Sequence, residues 1–335
     1  MSIENKPIIN VASCANEKFS LGLNMSIVSC FARASGKYNY CFTVIDGGLS
    51  EENKKELSSL LDKVSEKVRA TYTLVFHKPN REVTDELPQR VGTWMAYARL
   101  LLPRYIVDSE YVVYVDADVL CMRGVEDFVD AWDDSAAMVA VRDPLEYLIK
   151  DWPVNEELNP KNAPYYNSGL VLLNLNWMRS ALSMEQLHHI IEKFDSKKFL
   201  YADQTVINYA AKGKIIEIER VNNWVLAVEY AAQTASVWDD ANMHFVGRVK
   251  PWMTKECVPS RYIAEMLFYH ACLAYGLSGV KERKVNPAVI RKHQWKAFFY
   301  SLVKPKRAET YKKILKYSDE WSVIEGKLND EVWYG

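Results

Sequence analysis

The chain has 335 residues, of which 49% are hydrophobic and 12% are aromatic. This composition can bury a large core, so it excludes a mainly disordered chain and favours one large domain or two modest ones. The formal net charge of −1 gives no whole-chain reason to expect a nucleic-acid or strongly acidic partner, so any contact with a polyanion must come from a local basic cluster.

Two features favour a reducing, cytoplasmic location without a membrane span. The stretch "MSIENKPIINVASC" lacks the basic and then apolar layout of a signal peptide, and no apolar run reaches the roughly 18 residues that a span requires. The cysteines have no paired spacing typical of zinc or redox motifs, so we expect reduced, buried thiols. They are Cys14, Cys30, Cys41, Cys121, Cys257 and Cys272.

Strand-like runs alternate with segments of helical period in the first part of the chain. The runs "IINVASC", "YCFTVID" and "TLVFH" have the composition of strands, whereas "LGLNMSIVSCFARA" and "EENKKELSSLLDKVSEKV" have a helical pattern. This alternation predicts a layered α/β fold built on a mainly parallel sheet.

The alternation continues further along the chain. We expect a helix from about Thr93 to Leu102, with Thr93 as its cap and Pro103 after its end. Strands are predicted near 111–116, 136–142 and 169–175, and a further helix over 203–212, closed by Gly213.

The composition changes after about Pro259, where a mostly apolar helix precedes a basic and aromatic segment. We therefore expect a main α/β domain over residues 1–258 and a helical extension over residues 259–335.

The stretch "YVVYVDADVLCMRG" ends an apolar strand with two carboxylates, Asp116 and Asp118. Because side chains alternate across a strand, both should point the same way. Two close like charges require compensation, and a hard divalent cation with oxygen ligands provides it. The carboxyl end of a strand in an α/β sheet is also where ligands bind, so a metal holding a nucleotide diphosphate is expected. The alternative is a strand-end turn with Asp118 capping and Asp116 solvated.

Three further segments offer companions for such a site. "HFVGRVKPW" contains His244, a possible third metal ligand, with Gly247 and the phosphate-binding candidate Lys250. Taken alone, this histidine and this lysine are more often structural and solvated, respectively. "YYNSGLVLLN" and "YADQTVIN" place polar residues beside a strand and at a helix start, where Asp203 could instead be an N-cap.

Six motifs in this order resemble those of the retaining glycosyltransferases of family 8, which include bacterial lipopolysaccharide galactosyl- and glucosyltransferases and glycogenin. The resemblance covers about residues 8–255. Its motifs are "INVASCANEKF", "YARLLLPRYI", "VVYVDADVL", "YYNSGLVLLNL", "YADQTVIN" and "HFVGRVKPW". It implies a GT-A fold and a metal-dependent hexosyltransferase that uses a UDP-sugar, with galactose or glucose as the sugar.

The resemblance also implies the roles of individual residues. Asp116, Asp118 and His244 would bind Mn²⁺, with Mg²⁺ as the alternative, and the metal would bridge the diphosphate that Gly247 and Lys250 contact. The remaining residues that it places around the nucleoside and the transferred sugar are Ala12, Asn16, Arg99, Ala117, Asn167, Ser168, Asp203 and Gln204.

Three residues are the implied catalytic candidates: Asn167, Asp203 and Gln204. A double displacement requires a carboxylate nucleophile near the anomeric carbon, and Gln204 is a poor one. We therefore favour a front-face reaction in which the acceptor hydroxyl attacks on the side from which UDP departs. One departure from the family pattern is that Cys14 and Ala15 stand where acidic residues are common, which leaves a changed nucleotide preference open.

The segment from Lys281 to Lys316 contains twelve Lys or Arg residues and two Glu residues, with four aromatic residues near its middle. Basic residues mixed with aromatics suit the anionic inner face of the plasma membrane, which also fits a lipid-linked glycan acceptor. The alternative is a solvated helix face over a local aromatic core. A nucleic-acid site is disfavoured because no recognition motif accompanies the charge.

Two rival functions remain open at this point. "DADV" also fits the motif of haloacid-dehalogenase-type phosphohydrolases, although several strands precede it here. A non-catalytic protein that binds a nucleotide-sugar or glycan is the second rival. A nicotinamide-dependent dehydrogenase is disfavoured because no G-x-G-x-x-G follows the first strand. Neither the acceptor, expected to be a lipopolysaccharide core or surface polysaccharide, nor the linkage is specified by these motifs.

Overall fold

The computed structural model describes residues 6–90, 92–144, 164–194, 201–226, 234–253, 261–278, 280 and 287–334. Cys257 and residues 281–286 of the basic segment lie outside this range. The described residues form ten strands: β1 (Ile8–Ala15), β2 (Asn39–Asp46), β3 (Tyr72–His77), β4 (Tyr111–Val115), β5 (Val119–Leu120), β6 (Met138–Arg142), β7 (Tyr166–Asn174), β8 (Ile215–Glu217), β9 (Trp224–Val225) and β10 (Met243–His244).

Seven strands form the central sheet in the order β3-β2-β1-β4-β7-β6-β8, and β5, β10 and β9 form a small second sheet. Strands β3, β2, β1 and β4 pair in parallel, whereas β7 runs antiparallel to both β4 and β6. This confirms the predicted α/β fold with a mainly parallel sheet. Because β7 is reversed, it begins at the edge where β4 and β6 end, and its first residues meet the carboxyl ends of those strands.

The described α-helices lie between the strands along most of the chain, and the last four follow β10: α1 (Ser20–Ala32), α2 (Glu51–Ser65), α3 (Arg81–Asp85), α4 (Leu102–Tyr105), α5 (Glu126–Asp130), α6 (Leu175–Ala181), α7 (Met184–Phe194), α8 (Asp203–Ala210), α9 (Tyr262–Tyr275), α10 (Pro287–Val303), α11 (Pro305–Glu325) and α12 (Asp330–Tyr334). Helix α2 shows why these boundaries arise. The Ser50 side chain accepts a hydrogen bond from the Asn53 amide, and Leu57, Leu60 and Leu61 bury one face at helical spacing.

Several predicted boundaries differ from the structure. Helix α8 ends at Ala210 with Ala211 as its C-cap, so Gly213 does not close it as predicted. The stretch after Thr93 is a 3₁₀ helix over Trp94–Leu101, capped by Thr93 as expected, and α4 follows it directly. Pro103 lies in the first turn of α4 instead of after the helix end. Proline is tolerated there because the amides of the first turn have no acceptor within the helix, so its missing N–H loses no hydrogen bond. Strand β7 begins at Tyr166, three residues earlier than predicted.

The C-terminal helices share the core of the sheet. Side chains of α9, α11 and α12, including Ile263, Trp321 and Trp333, belong to the same buried cluster as Leu23 of α1. The division of the chain at residue 258 stays a prediction. Within the described ranges, no helix is long and apolar enough to cross a membrane.

The thiols are less uniform than predicted. Cys30, Cys121 and Cys272 are free and buried, but Cys14 and Cys41 are partly exposed, so the expectation of buried thiols is wrong for these two. The exposure of Cys14 has a clear cause, because this residue lines the cavity at the end of β1.

Candidate active site

A cavity of about 610 Å³ lies at the carboxyl ends of β1 and β4. Every predicted donor-site residue except one lines it: Asn16, Arg99, Asp116, Ala117, Asp118, Asn167, Ser168, Asp203, Gln204, His244, Gly247 and Lys250. The exception is Ala12, which lies inside β1 with a fully buried side chain in the core. The structure therefore brings residues from distant parts of the chain into one volume but does not bring Ala12 there.

The carboxylates of Asp116 and Asp118 converge as predicted, but for a different reason. Strand β4 ends at Val115, and a turn closed by a hydrogen bond from the Val119 amide to the Asp116 carbonyl (3.2 Å) carries both residues. The turn, and not strand alternation, therefore aims both side chains at one point. The strand-end turn of the alternative is present, but its side-chain roles are wrong. Asp118 is largely buried and paired with Lys250 instead of capping. Asp116 accepts hydrogen bonds from Arg99 and Tyr114.

His244 reaches the same point from β10, which pairs with β5 directly after the turn. Its Nε2 atom lies 3.2 Å from Asp118 Oδ1 and 3.8 Å from Asp116 Oδ2. Gly169 of β7 permits this approach, because a Cβ atom there would lie 2.0 Å from His244 Cε1 and 2.8 Å from Asp116 Oδ2.

These three side chains fit a divalent cation. One ligand atom from each of Asp116, Asp118 and His244 lies within 4.8 Å of the other two. Asp118 Oδ1 is buried, and the one described group paired with it is His244 Nε2 at 3.2 Å. Two carboxylates that converge on one imidazole nitrogen favour a cation between them, and carboxylate oxygens with one imidazole are ligands that divalent cations accept.

Arg99 connects the metal-site carboxylates to α8. This buried guanidinium is ion-paired with Asp203, donates to Asp116 Oδ1 at 3.0 Å and stacks 4.1 Å from the Tyr114 ring. Asp203 is the first residue of α8 and is not its N-cap, a position that Ala202 occupies with a φ of 50°. The N-cap alternative for Asp203 is therefore wrong. Burial raises the pKa of Asp203 to about 6, and Arg99 partly offsets this effect.

Lys250 is a buried member of the site. Its Nζ atom donates to Asp118 Oδ2 and, at 2.8 Å, to the Phe245 carbonyl, so it is not a solvated surface lysine. Burial acts to raise the pKa of Asp118, but the charge of the adjacent Lys250 ammonium outweighs it and holds this pKa well below its usual range. The carboxylate therefore stays ionised, as a metal ligand must.

A polar group that sequence reasoning missed supports the other side of the cavity. Asp143 Oδ2 accepts hydrogen bonds from Asn167 Nδ2 and Gln204 Nε2, both at 3.1 Å, and the Ser168 amide donates to Gln204 Oε1 at 3.0 Å. Asp143 directly follows β6, so the rule that ligands bind at carboxyl ends of strands could have found it. Two other residues of the site carry no comparable signal in the sequence. Gly169 permits the approach of His244, and Asn223 lies behind this histidine, with its Oδ1 atom 3.2 Å from His244 Nδ1.

The far end of the cavity is formed by residues that follow β1, Asn16 and Phe19, whose side chains are uncharged. Cys14, near the end of β1, is partly exposed to the cavity, but desolvation outweighs the nearby Arg99 charge and raises the pKa of its thiol to about 12, so this residue is neutral. The Asn16 Oδ1 atom is buried and has no hydrogen-bond partner in the described part of the chain. This end therefore offers a free acceptor to a ligand.

The sequence matches glycosyl transferase family 8 over residues 10–256. It is 24% identical over 255 residues to the lipopolysaccharide glucosyltransferase WaaO of Escherichia coli K12, covering 73% of this chain and 72% of that protein. It is 22% identical over 266 residues to a lipopolysaccharide 1,3-galactosyltransferase of Salmonella typhimurium, covering 76% and 77% of the two chains.

The fold is also similar to a solved structure. The galactosyltransferase LgtC in complex with donor and acceptor sugar analogs superposes with a TM-score of 0.63 at 22% identity, over 82% of this chain and 98% of that one. The family match covers most of the chain and includes the turn, strand and loop that build the cavity. The chain therefore belongs to glycosyl transferase family 8 and is a glycosyltransferase with a GT-A fold.

Proposed function

We propose that this glycosyltransferase moves a hexose, galactose or glucose, from a UDP-sugar to a glycan or glycolipid acceptor such as a lipopolysaccharide core, with retention and with a bound Mn²⁺ ion. The observation that carries this proposal is the convergence of Asp116, Asp118 and His244, whose ligand atoms lie within 4.8 Å of one another. The names of the two lipopolysaccharide-modifying relatives support the hexose and the acceptor class. Family membership removes the phosphohydrolase and non-catalytic alternatives.

Each part of the cavity has a role in this proposal. Asp116, Asp118 and His244 would hold Mn²⁺, which as a Lewis acid stabilises the developing charge on the departing UDP. Lys250 provides a second positive charge beside it. Gly247 has a φ of +92°, a conformation that favours glycine, and no heavy atom of the described chain crowds its Cβ position. Its exposed backbone can therefore approach a diphosphate closely.

The hydrogen bonds of the sugar side favour the front-face reaction. Gln204 Oε1 accepts from both the amide and the hydroxyl of Ser168, so it is committed to the protein. Asp203 is ion-paired with Arg99, which lowers its nucleophilicity. We therefore propose that the acceptor hydroxyl attacks the anomeric carbon as the bond to the UDP oxygen breaks, and that a diphosphate oxygen takes the hydroxyl proton.

The first test is UDP release from a panel of UDP-sugars in the presence of Mn²⁺. We expect slow hydrolysis of one donor by the wild type and its loss in Asp116→Ala and Asp118→Ala. Asp240→Ala is the control, because this aspartate is exposed and pairs with Arg123 outside the cavity. Near wild-type release by Asp118→Ala would contradict the metal role, and no release from any UDP-hexose, with or without an acceptor glycan, would contradict the donor.

The same proposal includes attachment to the anionic inner face of the plasma membrane, where a lipid-linked acceptor would be available. Helix α10 has a stripe of exposed apolar side chains spaced three and four residues apart: Trp295, Phe298, Phe299 and Leu302. Trp295 and Leu302 are 73% and 72% exposed, although they are among the largest apolar residues of the helix. Exposed Arg291 and Lys292 lie one turn before Trp295 and add positive charge beside the stripe, which anionic lipids would attract.

Liposome sedimentation tests this attachment. We expect the triple variant Trp295→Ser, Phe298→Ser and Leu302→Ser to bind phosphatidylglycerol vesicles about tenfold more weakly than the wild type. Val323→Ser, which removes an exposed apolar side chain from α11, is the control. Substitution is preferable to deletion because Trp321 of α11 is part of the core. Unchanged binding by the triple variant would contradict the membrane role.

A further inference from the structure

A buried asparagine behind the cavity connects the metal-site histidine to the sugar side. Asn223 ends the 3₁₀ helix Arg220–Asn223, directly before β9, and its side chain is 1% exposed. It is not among the described residues that line the cavity, so any effect on the reaction must act through its neighbours. Those neighbours are His244 and Asn167.

Backbone groups fix the orientation of the amides in this connection. The Gly169 amide donates to Asn167 Oδ1 at 2.9 Å, which identifies that atom as the oxygen. Asn223 faces Asn167 Oδ1 at 2.9 Å and the Leu170 carbonyl at 3.4 Å, and two acceptors require the NH₂ group of Asn223 on that side. The Asn223 Oδ1 atom is therefore on the opposite side.

That oxygen lies 3.2 Å from His244 Nδ1. Because an amide oxygen can only accept, Nδ1 carries a proton, and Nε2 is the ring nitrogen that faces Asp116 and Asp118 and would supply a lone pair to a metal. An outer hydrogen bond of this kind fixes both the tautomer and the ring orientation of a metal-binding histidine.

The same asparagine also holds the sugar side. Its NH₂ group and the Gly169 amide together saturate Asn167 Oδ1, which turns the Asn167 NH₂ group toward Asp143. Asp143 in turn accepts from Gln204. Hydrogen bonds therefore run without a break from a metal ligand to the residues proposed to surround the sugar.

We propose that Asn223 is a positioning residue that sets the metal-binding tautomer of His244 and, through Asn167, aligns the sugar side with the metal. This inference rests on the proposed metal-dependent transfer. It assigns a function in the reaction to a residue that is not among the described residues lining the cavity.

Two substitutions test separately the two contacts of Asn223, the one with His244 and the one with Asn167. In Asn223→Leu both hydrogen bonds are lost, so we expect Mn²⁺ affinity without donor to fall about 10- to 100-fold and kcat to fall as well. In Asn223→Asp a carboxylate oxygen still accepts from His244 Nδ1, so Mn²⁺ affinity should stay within about threefold of wild type. Its second oxygen faces Asn167 Oδ1 without a hydrogen, so kcat should fall about tenfold.

The measurements are Mn²⁺ binding by electron paramagnetic resonance at one fixed pH, then kcat, KM and thermal stability. Asn222→Leu is the control, because Asn222 is a neighbouring asparagine that is 3% exposed and whose Oδ1 has no partner among the described residues. Wild-type Mn²⁺ affinity in Asn223→Leu would overturn the inference, as would equal losses in Asn223→Leu and the control. If the wild type itself bound no Mn²⁺ with or without UDP, the proposed metal dependence would fail first.

Discussion

The two ends of the cavity differ in how their polar side chains are paired within the protein. At the metal end the charged side chains are paired within the protein, Asp116 with Arg99 and Asp118 with Lys250, and these groups are largely buried. At the far end the Asn16 side-chain oxygen is buried and has no partner among the described residues. One end is preorganised for charge, and the other leaves a polar atom free for the ligand.

This difference predicts which end of the cavity should tolerate amino-acid substitution. Buried charges depend on every partner, because removing one leaves another uncompensated in a medium of low dielectric. An unpaired acceptor at the surface of a cavity has no such dependence inside the protein. Substitutions at the metal end should therefore affect stability and turnover together, and substitutions at the far end should affect ligand affinity alone.

The largest expected effect concerns Asp203 and the pH dependence of stability. Its pKa is about 6 in the folded protein against an ordinary value of 3.8, so between these values the folded state retains a proton that the unfolded state releases. The Asp203 contribution to the free energy of unfolding therefore falls by up to about 3 kcal/mol as pH rises from about 4 to about 6.5. The wild type minus Asp203→Asn difference in urea unfolding should fall by that amount. A difference that rises with pH would show that Arg99 outweighs burial.

The next effect is steric and concerns Gly169. In Gly169→Ala the new methyl group would collide with His244 and Asp116, and a displacement of about 1 Å can lower turnover about 100-fold. Isothermal titration with Mn²⁺ and a turnover assay would measure the effect. Gly326→Ala is the control, since the nearest atoms to its added Cβ would lie 3.7 Å away. Wild-type metal binding by Gly169→Ala would contradict the close approach.

A smaller effect is expected at Gly247, for which the chain provides a matched control. Gly247 and Gly213 have φ angles of +92° and +74°, and each has open space at its Cβ position. Alanine at either position should cost about 1 kcal/mol of stability. Only Gly247 lines the cavity, so only Gly247→Ala should also weaken UDP binding in the presence of Mn²⁺, by up to about tenfold. Equal UDP affinities of Gly247→Ala and Gly213→Ala would contradict a contact between Gly247 and the diphosphate.

The smallest effect is expected at Asn16. In Asn16→Ala one acceptor is lost, which should weaken UDP binding about fivefold, the equivalent of about 1 kcal/mol. The melting temperature should stay unchanged because Asn16 Oδ1 has no partner within the described chain. Unchanged UDP affinity would mean that the nucleotide does not reach Asn16. Binding of other nucleotides would then be measured, because the neutral Cys14 stands where acidic residues are common in the family.

Much of the fold was predictable because its signals are local. Strand and helix patterns located β1, β2, β3 and α2, since burial of one face imposes a period on the sequence. The carboxylate pair was predictable for the same reason, because a strand end is visible in a short stretch. Family motifs then identified twelve of the cavity residues.

Local sequence patterns do not specify how segments that are far apart in the chain are arranged in space. The reversal of β7 decides that Asn167 meets Asp143, and it depends on which strands pair in the sheet. The roles of Gly169 and Asn223 exist only because β10 and β7 approach one another in space. Residue types and short-range periods were therefore determined by the sequence alone. The closeness of the metal ligands and the orientation of the amides behind them were decided by tertiary packing, because each depends on contacts between residues far apart in the chain.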